Sequence, residues 1–397
     1  MTKGFCVQQI DSAKIMVIVG AGFMGQGIAR VALGAGFSYI MLHDSDAVAL
    51  GKAYANITDA FHKLNASSDM AMGCTVKILE EQDLSASIKD ADFIIEATPE
   101  IKELKQQIFS AISHQAPPHC FFATNTSTMS IDHIALFSDC KDRVIGMHFF
   151  VPEESRLIEI TKGSHTSELT LRKTLAVADR LPCSRGPRMM VVLDRWSPGF
   201  IINRSTAPVV AYLNWVIDRA SQNGISPQQI DDEVEAIMPG FYKTMDFIGL
   251  DIVYQTCRVF AKTLSPDRGP GRVLSDLVRQ GHLGKKTWKG FYRYLDGGEP
   301  VREDGSQGVF SMAGFIDLEL VMAIQFNECC RIVEEGILTD FNRIDECIFA
   351  AINSPGPCSV GLEHHSRWCN LLKEFSNKTG KPYFKPCNLM ASGDFRR

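Results

Sequence analysis

The sequence predicts an α/β amino-terminal domain, a doubly wound and mainly parallel sheet, followed by all-α carboxyl-terminal domains. Three observations carry this. Short apolar, β-branched runs recur up to Phe150 with helical stretches between them. A glycine-rich turn, Gly20-Ala21-Gly22-Phe23-Met24-Gly25, joins the first run to a helix. After Ser197-Pro198-Gly199-Phe200, strand signals give way to amphipathic helices.

The first element is Ile15 to Val19, an unbroken apolar run that suits a strand buried on both faces. Lys14 before it gives a faint likeness to a signal peptide. The run is only five residues long and is followed by glycines instead of a cleavage site, so it reads as a strand. A helix over Gln26–Leu33 ends near Gly34-Ala35-Gly36, and Tyr39–His43 is the second strand, closing at Asp44. Together these form one right-handed βαβ unit. Strands follow at Phe93–Ile95 and Phe121–Ala123, with a helix from Glu103 to Ser113 between them, and another strand starts at Val144. From Ile201 onward the chain reads as helices, interrupted by a polar, glycine-rich linker at Asp296–Gly308. A weak internal repeat spans that linker. Asn223-Gly224-Ile225 with Ile230-Asp231-Asp232-Glu233 is echoed by Glu335-Gly336-Ile337 with Ile344-Asp345-Glu346.

At 397 residues the chain exceeds one compact core and calls for two or three domains. The expected boundaries are 1–196 for the α/β domain, 197–296 for a helical domain and 309–397 for a second helical copy. A net charge of −5, without a basic run, excludes nucleic acid and an anionic membrane as expected partners. No apolar stretch reaches the roughly 20 residues of a membrane-spanning helix. Twelve scattered cysteines without a CxxC pair read as reduced thiols of a cytoplasmic protein. Cys358, His364, His365 and Cys369 lack the paired short spacings of a structural zinc site and read as packing and surface, so no metal is expected.

Four constellations bear chemistry. In the glycine turn, Gly20 permits the tight bend, Gly22 admits a pyrophosphate to the backbone, and Gly25 lets helix and sheet close. The helix start, including Phe23 and Met24, offers free N–H groups to phosphate. Asp44 at the end of the second strand can accept ribose hydroxyls and repel a 2′-phosphate, which selects NAD over NADP, with a flavin dinucleotide as the main competitor. This is the pattern of a Rossmann-type domain.

The second constellation is Thr124-Asn125-Thr126-Ser127-Thr128, a hydroxyl-rich segment at a strand's carboxyl end. Composition alone favours a helix cap there, while the position suits substrate binding. In the third, His148-Phe149-Phe150-Val151-Pro152 precedes Glu159 by a proline turn that can bring the two side chains together. A histidine among phenylalanines is often only core. Its place at a strand end facing the glycine turn's crevice favours an acid/base role with Glu159 as orienting carboxylate. Asn203 forms the fourth. It opens the helical part and either reaches the crevice or anchors the junction.

These segments, in this order, resemble the 3-hydroxyacyl-CoA dehydrogenase family over nearly the whole chain. The resemblance is carried by Gly20–Ala29, Ala91–Ala97, Asn125–Thr128, Arg143–Phe150, Pro198–Arg204 and Gly281–Tyr292. It implies NAD as cofactor, an acyl-CoA substrate, and reversible oxidation of an L-3-hydroxyacyl-CoA to the 3-oxoacyl-CoA. It further implies His148 as catalytic acid/base held by Glu159, and Ser127 and Asn203 as hydrogen-bond donors to the reacting oxygen. Glu100 and Lys105 match residues near the nicotinamide, and Asn125 belongs to the same cofactor-binding set with Gly20, Gly22, Phe23, Met24, Gly25 and Asp44. The helical part resembles two copies of the family's carboxyl-terminal domain, which implies either a monomer with an intrachain pseudo-dimer or a homodimer.

The sequence departs from the family at Val151, where asparagine is usual, and in a His148–Glu159 spacing one residue short. Trp288 stands where glycine is usual, Met238-Pro239-Gly240-Phe241 replaces Met-Gly-Pro-Phe, and Ala53–Val76 lacks a lysine-rich helical pattern. Two other readings follow from these departures: a dehydrogenase of small CoA-free 3-hydroxy acids, and a non-catalytic NAD-binding protein.

Overall fold

The structure, a computed structural model, describes residues 13–67, 77–295, 298–301 and 314–395. Two compact units emerge: Met1–Ile202 with Gly336–Gly356, and Asn203–Glu335 with Pro357–Arg397. The helical residues expected as copies 197–296 and 309–397 therefore share the second unit, except that 197–202 and 336–356 join the first. Within the expected linker, Asp296, Gly297 and 302–308 lie outside the described residues, as do 68–76 of the Ala53–Val76 stretch.

The first unit is built on one eight-stranded sheet. Its strands are β1 (Ile15–Val19), β2 (Tyr39–His43), β3 (Lys77–Glu81), β4 (Phe93–Glu96), β5 (Phe121–Thr124), β6 (Val144–Phe149), β7 (Leu157–Lys162) and β8 (Met189–Val192), in the order 3-2-1-4-5-6-7-8. β1 to β6 run parallel, β7 turns back against β6, and β8 lies parallel to β7. The order reverses at β1, whose neighbours are β2 and β4, and this switch point places the β1 turn at the mouth of a crevice. Met16, Val17 and Ile18 are fully buried, as expected for a strand covered on both faces.

Helices α1 (Phe23–Ala32), α2 (Ala47–Ser67), α3 (Leu84–Ile88), α4 (Lys102–Gln115), α5 (Ile131–Ile134) and α6 (Glu168–Arg180) connect these strands. α1 starts three residues before the expected Gln26, because Gly22 is extended and Phe23 already takes helical geometry. Its Gly27 lies on the turn after β6, where an added Cβ would stand 3.1 Å from Pro152. Arg30 grips Glu153 of that turn with two bonds of 2.6 and 2.7 Å. Arg188 donates to the carbonyls of Pro152 (2.6 Å) and Ser155 (2.5 Å). The connection that is one residue short is thus pinned from both sides, and Val151 sits in it half-buried.

The second unit contains most of α7 (Ile202–Gln222), then α8 (Pro227–Asp232), α9 (Phe241–Ile248), α10 (Leu250–Thr263), α11 (Arg272–Arg279) and α12 (Leu318–Glu334). α13 (Phe341–Ile352) belongs to the first unit and packs on β7 and β8, where Arg343 donates to the Met190 carbonyl at 2.9 Å. α14 (Cys358–Thr379) and α15 (Asn388–Ser392) complete the second. The two repeat segments share a backbone device. Gly224 and Gly336 both take positive φ, +71° and +67°, before the next helix. Each is followed by an aspartate, buried in the first case and half-buried in the second, against a glycine where a Cβ would clash: Asp231 on Gly240 and Asp345 on Gly356. This explains why Gly240 sits where it does in Met238-Pro239-Gly240-Phe241, since the Asp231 carboxylate accepts from the N–H groups of Tyr242 and Lys243 just beyond.

Candidate active site

The β1 turn has the geometry its glycines suggest. Gly20 has φ +111°, and a Cβ there would meet the Ala97 carbonyl oxygen at 2.6 Å. At Gly25 a Cβ would fall 1.8 Å from the Gly20 oxygen, so helix and turn close only on glycine. At Gly22 a Cβ would meet nothing within 4 Å, which leaves the cradle open. No side chain caps the start of α1, Phe23 stands 69% exposed at its first position, and Met24 packs against the core beneath. An uncapped helix start over an open glycine fits a dinucleotide pyrophosphate. Asp44 lies at the adjoining strand end, half-buried. Its Oδ2 accepts from the Ala21 N–H at 2.8 Å and Oδ1 from the Asp46 N–H at 2.9 Å, so it braces the turn from the end of β2.

His148 and Glu159 are direct partners across the β6–β7 ladder. Both are buried, 4% and 1% exposed, and Glu159 Oε2 lies 2.7 Å from His148 Nδ1. The other carboxylate oxygen accepts from the N–H groups of Ile201 (2.7 Å) and Ile202 (3.2 Å) at the head of α7. The Phe200 ring lies on the imidazole, centroids 4.9 Å apart and planes within 20°. Among the described residues, His148 Nε2 has no intramolecular partner, leaving one nitrogen to exchange a proton while the other is fixed.

The Thr124–Thr128 segment is no helix cap. Ser130 precedes α5 without capping it by its side chain, and the threonine hydroxyls bind a carboxylate instead. Thr126 Oγ1 (2.5 Å), Thr128 Oγ1 (2.8 Å), Thr128 N (2.9 Å) and Ser127 N (3.1 Å) all donate to Glu100 Oε1. Burial alone would raise the Glu100 pKa. Lys105 and the bonds from Thr126 and Thr128 outweigh it and hold the carboxylate below its usual range. Lys105 is 1% exposed. It reaches Glu96 Oε1 at 2.7 Å and Glu100 Oε2 at 3.3 Å, tying the end of β4 to the loop whose Glu100 holds the segment after β5. Asn125 accepts the Phe149 N–H at 2.9 Å, tying this segment to the strand end that bears His148. The Ser127 carbonyl accepts from Gly199 at 2.9 Å, while its half-buried hydroxyl has no partner among the described residues. Asn203 is the second residue of α7 and the first of the second unit, half-buried, its amide likewise without a partner among the described residues.

Sequence reasoning missed three contributors: the Phe200 ring, the Ile201 and Ile202 N–H groups, and Glu96 beneath Lys105. The first two follow from φ values of +84° at Gly199 and +53° at Phe200, and nothing in the residue types announces a left-handed phenylalanine. The third had a signal, a glutamate closing an otherwise apolar strand. Cys358, His364, His365 and Cys369 all lie on α14, and no group of three or more His, Cys, Asp or Glu among the described residues could hold a metal ion.

Residues 15–185 match the NAD-binding domain of 3-hydroxyacyl-CoA dehydrogenase, and residues 199–294 match its carboxyl-terminal domain. A probable 3-hydroxybutyryl-CoA dehydrogenase of Bacillus subtilis is 31% identical over 71% of this chain and 97% of its own length. The chain belongs to the 3-hydroxyacyl-CoA dehydrogenase family. Residues 15–185 of its first unit are accordingly the family's NAD-binding domain. The glyoxysomal fatty acid beta-oxidation multifunctional protein of cucumber is 29% identical over 95% of this chain, and the match spans 54% of that relative, about half its length. The crystal structure of Escherichia coli 3-hydroxybutyryl-CoA dehydrogenase shares the fold, with a TM-score of 0.75 and 23% identity across 96% of this chain and 98% of that one. Among the described residues no helix is long and apolar enough to cross a membrane.

Proposed function

We propose that this chain interconverts an L-3-hydroxyacyl-CoA and its 3-oxoacyl-CoA with NAD, using His148 as general acid/base. The observation that carries the reading is the buried His148–Glu159 pair with Nε2 left free at the carboxyl end of β6. Glu159, accepting from Nδ1–H, fixes the tautomer in which Nε2 is the lone-pair nitrogen and stabilises the imidazolium once the proton has moved. In oxidation, Nε2 takes the substrate's C3 hydroxyl proton, and in reduction it returns that proton to the oxygen. The unpartnered Ser127 hydroxyl and Asn203 amide are assigned to hydrogen bonds with the same oxygen. NAD, when bound, accepts the hydride from C3, and as NADH it supplies it. Gly20, Gly22, Phe23, Met24 and Gly25 are assigned to its pyrophosphate and Asp44 to its adenosine ribose. Glu100, Lys105 and Asn125 are assigned to shaping the nicotinamide end.

The test follows NADH absorbance with acetoacetyl-CoA and then with free 3-oxo acids. Turnover of the thioester supports the proposal. Turnover of free acids alone would move the substrate to small CoA-free acids, and NADH binding without turnover would make the chain a non-catalytic binder.

We further infer that the two helical copies pair within one chain, giving a monomer in place of a homodimer. Arg268 from the first copy and Arg331 from the second share the buried Glu328, and the Tyr383 N–H binds Asp267 at 2.8 Å. Light scattering should return a monomer mass, and an obligate dimer would refute the inference. The ten described cysteines are all free, in keeping with a reducing compartment such as the cytoplasm.

A further inference from the structure

Phe200 is fully buried, left-handed and stacked on His148 of the proposed acid/base pair, and its conformation is costly. A non-glycine residue at φ +53° is disfavoured against an ordinary backbone, because its Cβ crowds the following carbonyl. Such strain persists only where the surroundings enforce it. Here Gly199, also left-handed at φ +84°, donates to the Ser127 carbonyl, and the chain then turns abruptly into α7. Two consequences meet on the same pair. The Phe200 ring lies flat on one face of the imidazole, and the next two N–H groups converge on Glu159 Oε1.

We propose that Phe200 is a positioning residue for proton transfer. Its strained turn holds the His148 ring against Glu159 and makes that carboxylate the acceptor for the head of α7. One carboxylate thus serves both sides of the chemistry. Oε2 sets the tautomer and tilt of His148, and Oε1 anchors the backbone immediately before Asn203. The stacked ring covers one imidazole face with a buried apolar surface and so restrains the imidazole from swinging toward another partner. An extended residue at this position would direct its side chain elsewhere and release the N–H groups from Glu159.

The inference rests on the acid/base role of His148, so its test uses one readout that needs no activity. In the whole protein, nitrogen NMR of labelled histidine should show His148 as a single Nδ1–H tautomer, its ring protons shifted upfield by the Phe200 ring current. The Phe200→Leu variant keeps an apolar residue in the site. It should lose the ring-current shift, populate both tautomers and lower kcat about 10- to 100-fold with NADH affinity and KM little changed. The Phe200→Tyr variant, which keeps the ring, should recover most of kcat and the single tautomer. A Phe200→Leu protein with unchanged kcat and one tautomer would overturn the proposal, as would a kcat loss matched by an equal loss of NADH affinity. Should Phe200→Leu not fold, absence of the ring-current shift in the unsubstituted protein overturns it alone. Failure of the unsubstituted protein to turn over thioesters would remove the reaction assigned above, while the tautomer measurement would still decide the role of Phe200.

Discussion

Glu159 stands directly opposite His148 in the antiparallel β6–β7 ladder, and its two oxygens divide their work between Nδ1 and the head of α7. Opposed residues on such a ladder present their side chains to the same face of the sheet, so the pair is fixed by strand register and not by a flexible loop. Register also absorbs the short connection, because Arg188 and Arg30 hold the turn between the strands.

His148→Gln should therefore remove the nitrogen proposed to transfer the proton while leaving the glycine turn untouched. The expected loss in kcat is about 10²- to 10⁴-fold, with NADH affinity by fluorescence titration essentially unchanged. A variant keeping most of its turnover would place the acid/base elsewhere.

The glycine turn separates folding from binding. Gly25→Ala drives a Cβ into the Gly20 carbonyl, 1.8 Å away, and should lower thermal stability and NADH binding together. Gly22→Ala meets nothing within 4 Å and should fold normally, yet bind NADH more weakly because its methyl fills the approach to the backbone. Paired melting and titration experiments decide this. Equal melting losses in the two variants, or normal NADH affinity in Gly22→Ala, would contradict it.

Much of this was legible because it depends on short-range chemistry. A buried strand, three glycines and a closing aspartate require one turn, and an eleven-residue step with a proline turn brings His148 to Glu159. What stayed hidden depends on long-range packing or on the sign of φ. Thr126 and Thr128 look like caps until Glu100, from another loop, arrives to take their hydroxyls. Lys105 is expected near the nicotinamide, but its ion pair with Glu96 and its burial to 1% exposure depend on the packing of α4 against β4. β8 was missed because Met189–Val192 follows a polar, arginine-rich stretch and is short. The placement of α13 on β7 and β8 could not be read from a repeat whose other copy, α8, lies in the helical unit.

Glu328 supplies a pH dependence. It is fully buried, which by itself raises its pKa, but Arg268, Arg204 and Arg331 surround it and hold the carboxyl well below the usual range. A depressed folded-state pKa contributes stability above the unfolded value, about 4.3, and loses it as pH falls toward the folded one. Denaturant melts should therefore show stability falling below about pH 5. Glu328→Gln leaves three buried or half-buried guanidinium groups short of a counter-charge and should cost about 3–5 kcal/mol at neutral pH. The variant's stability should also vary less with pH across the acid range. An unchanged acid slope would mean that other carboxylates govern it.

Trp288 offers the opposite case, a strain with no evident return. It occupies φ +60° at the end of a short helical turn over Lys285–Thr287 and is 51% exposed. The left-handed backbone explains why glycine is usual there, since only glycine adopts it freely. Trp288→Gly should remove the steric cost of about 1–2 kcal/mol, less whatever contact the half-exposed indole makes. A net gain near 1 kcal/mol would raise the melting midpoint by about 2–4 °C in a unit of this size. A lower midpoint would show instead that the indole packs more strongly than its exposure suggests, and that the strain is offset locally.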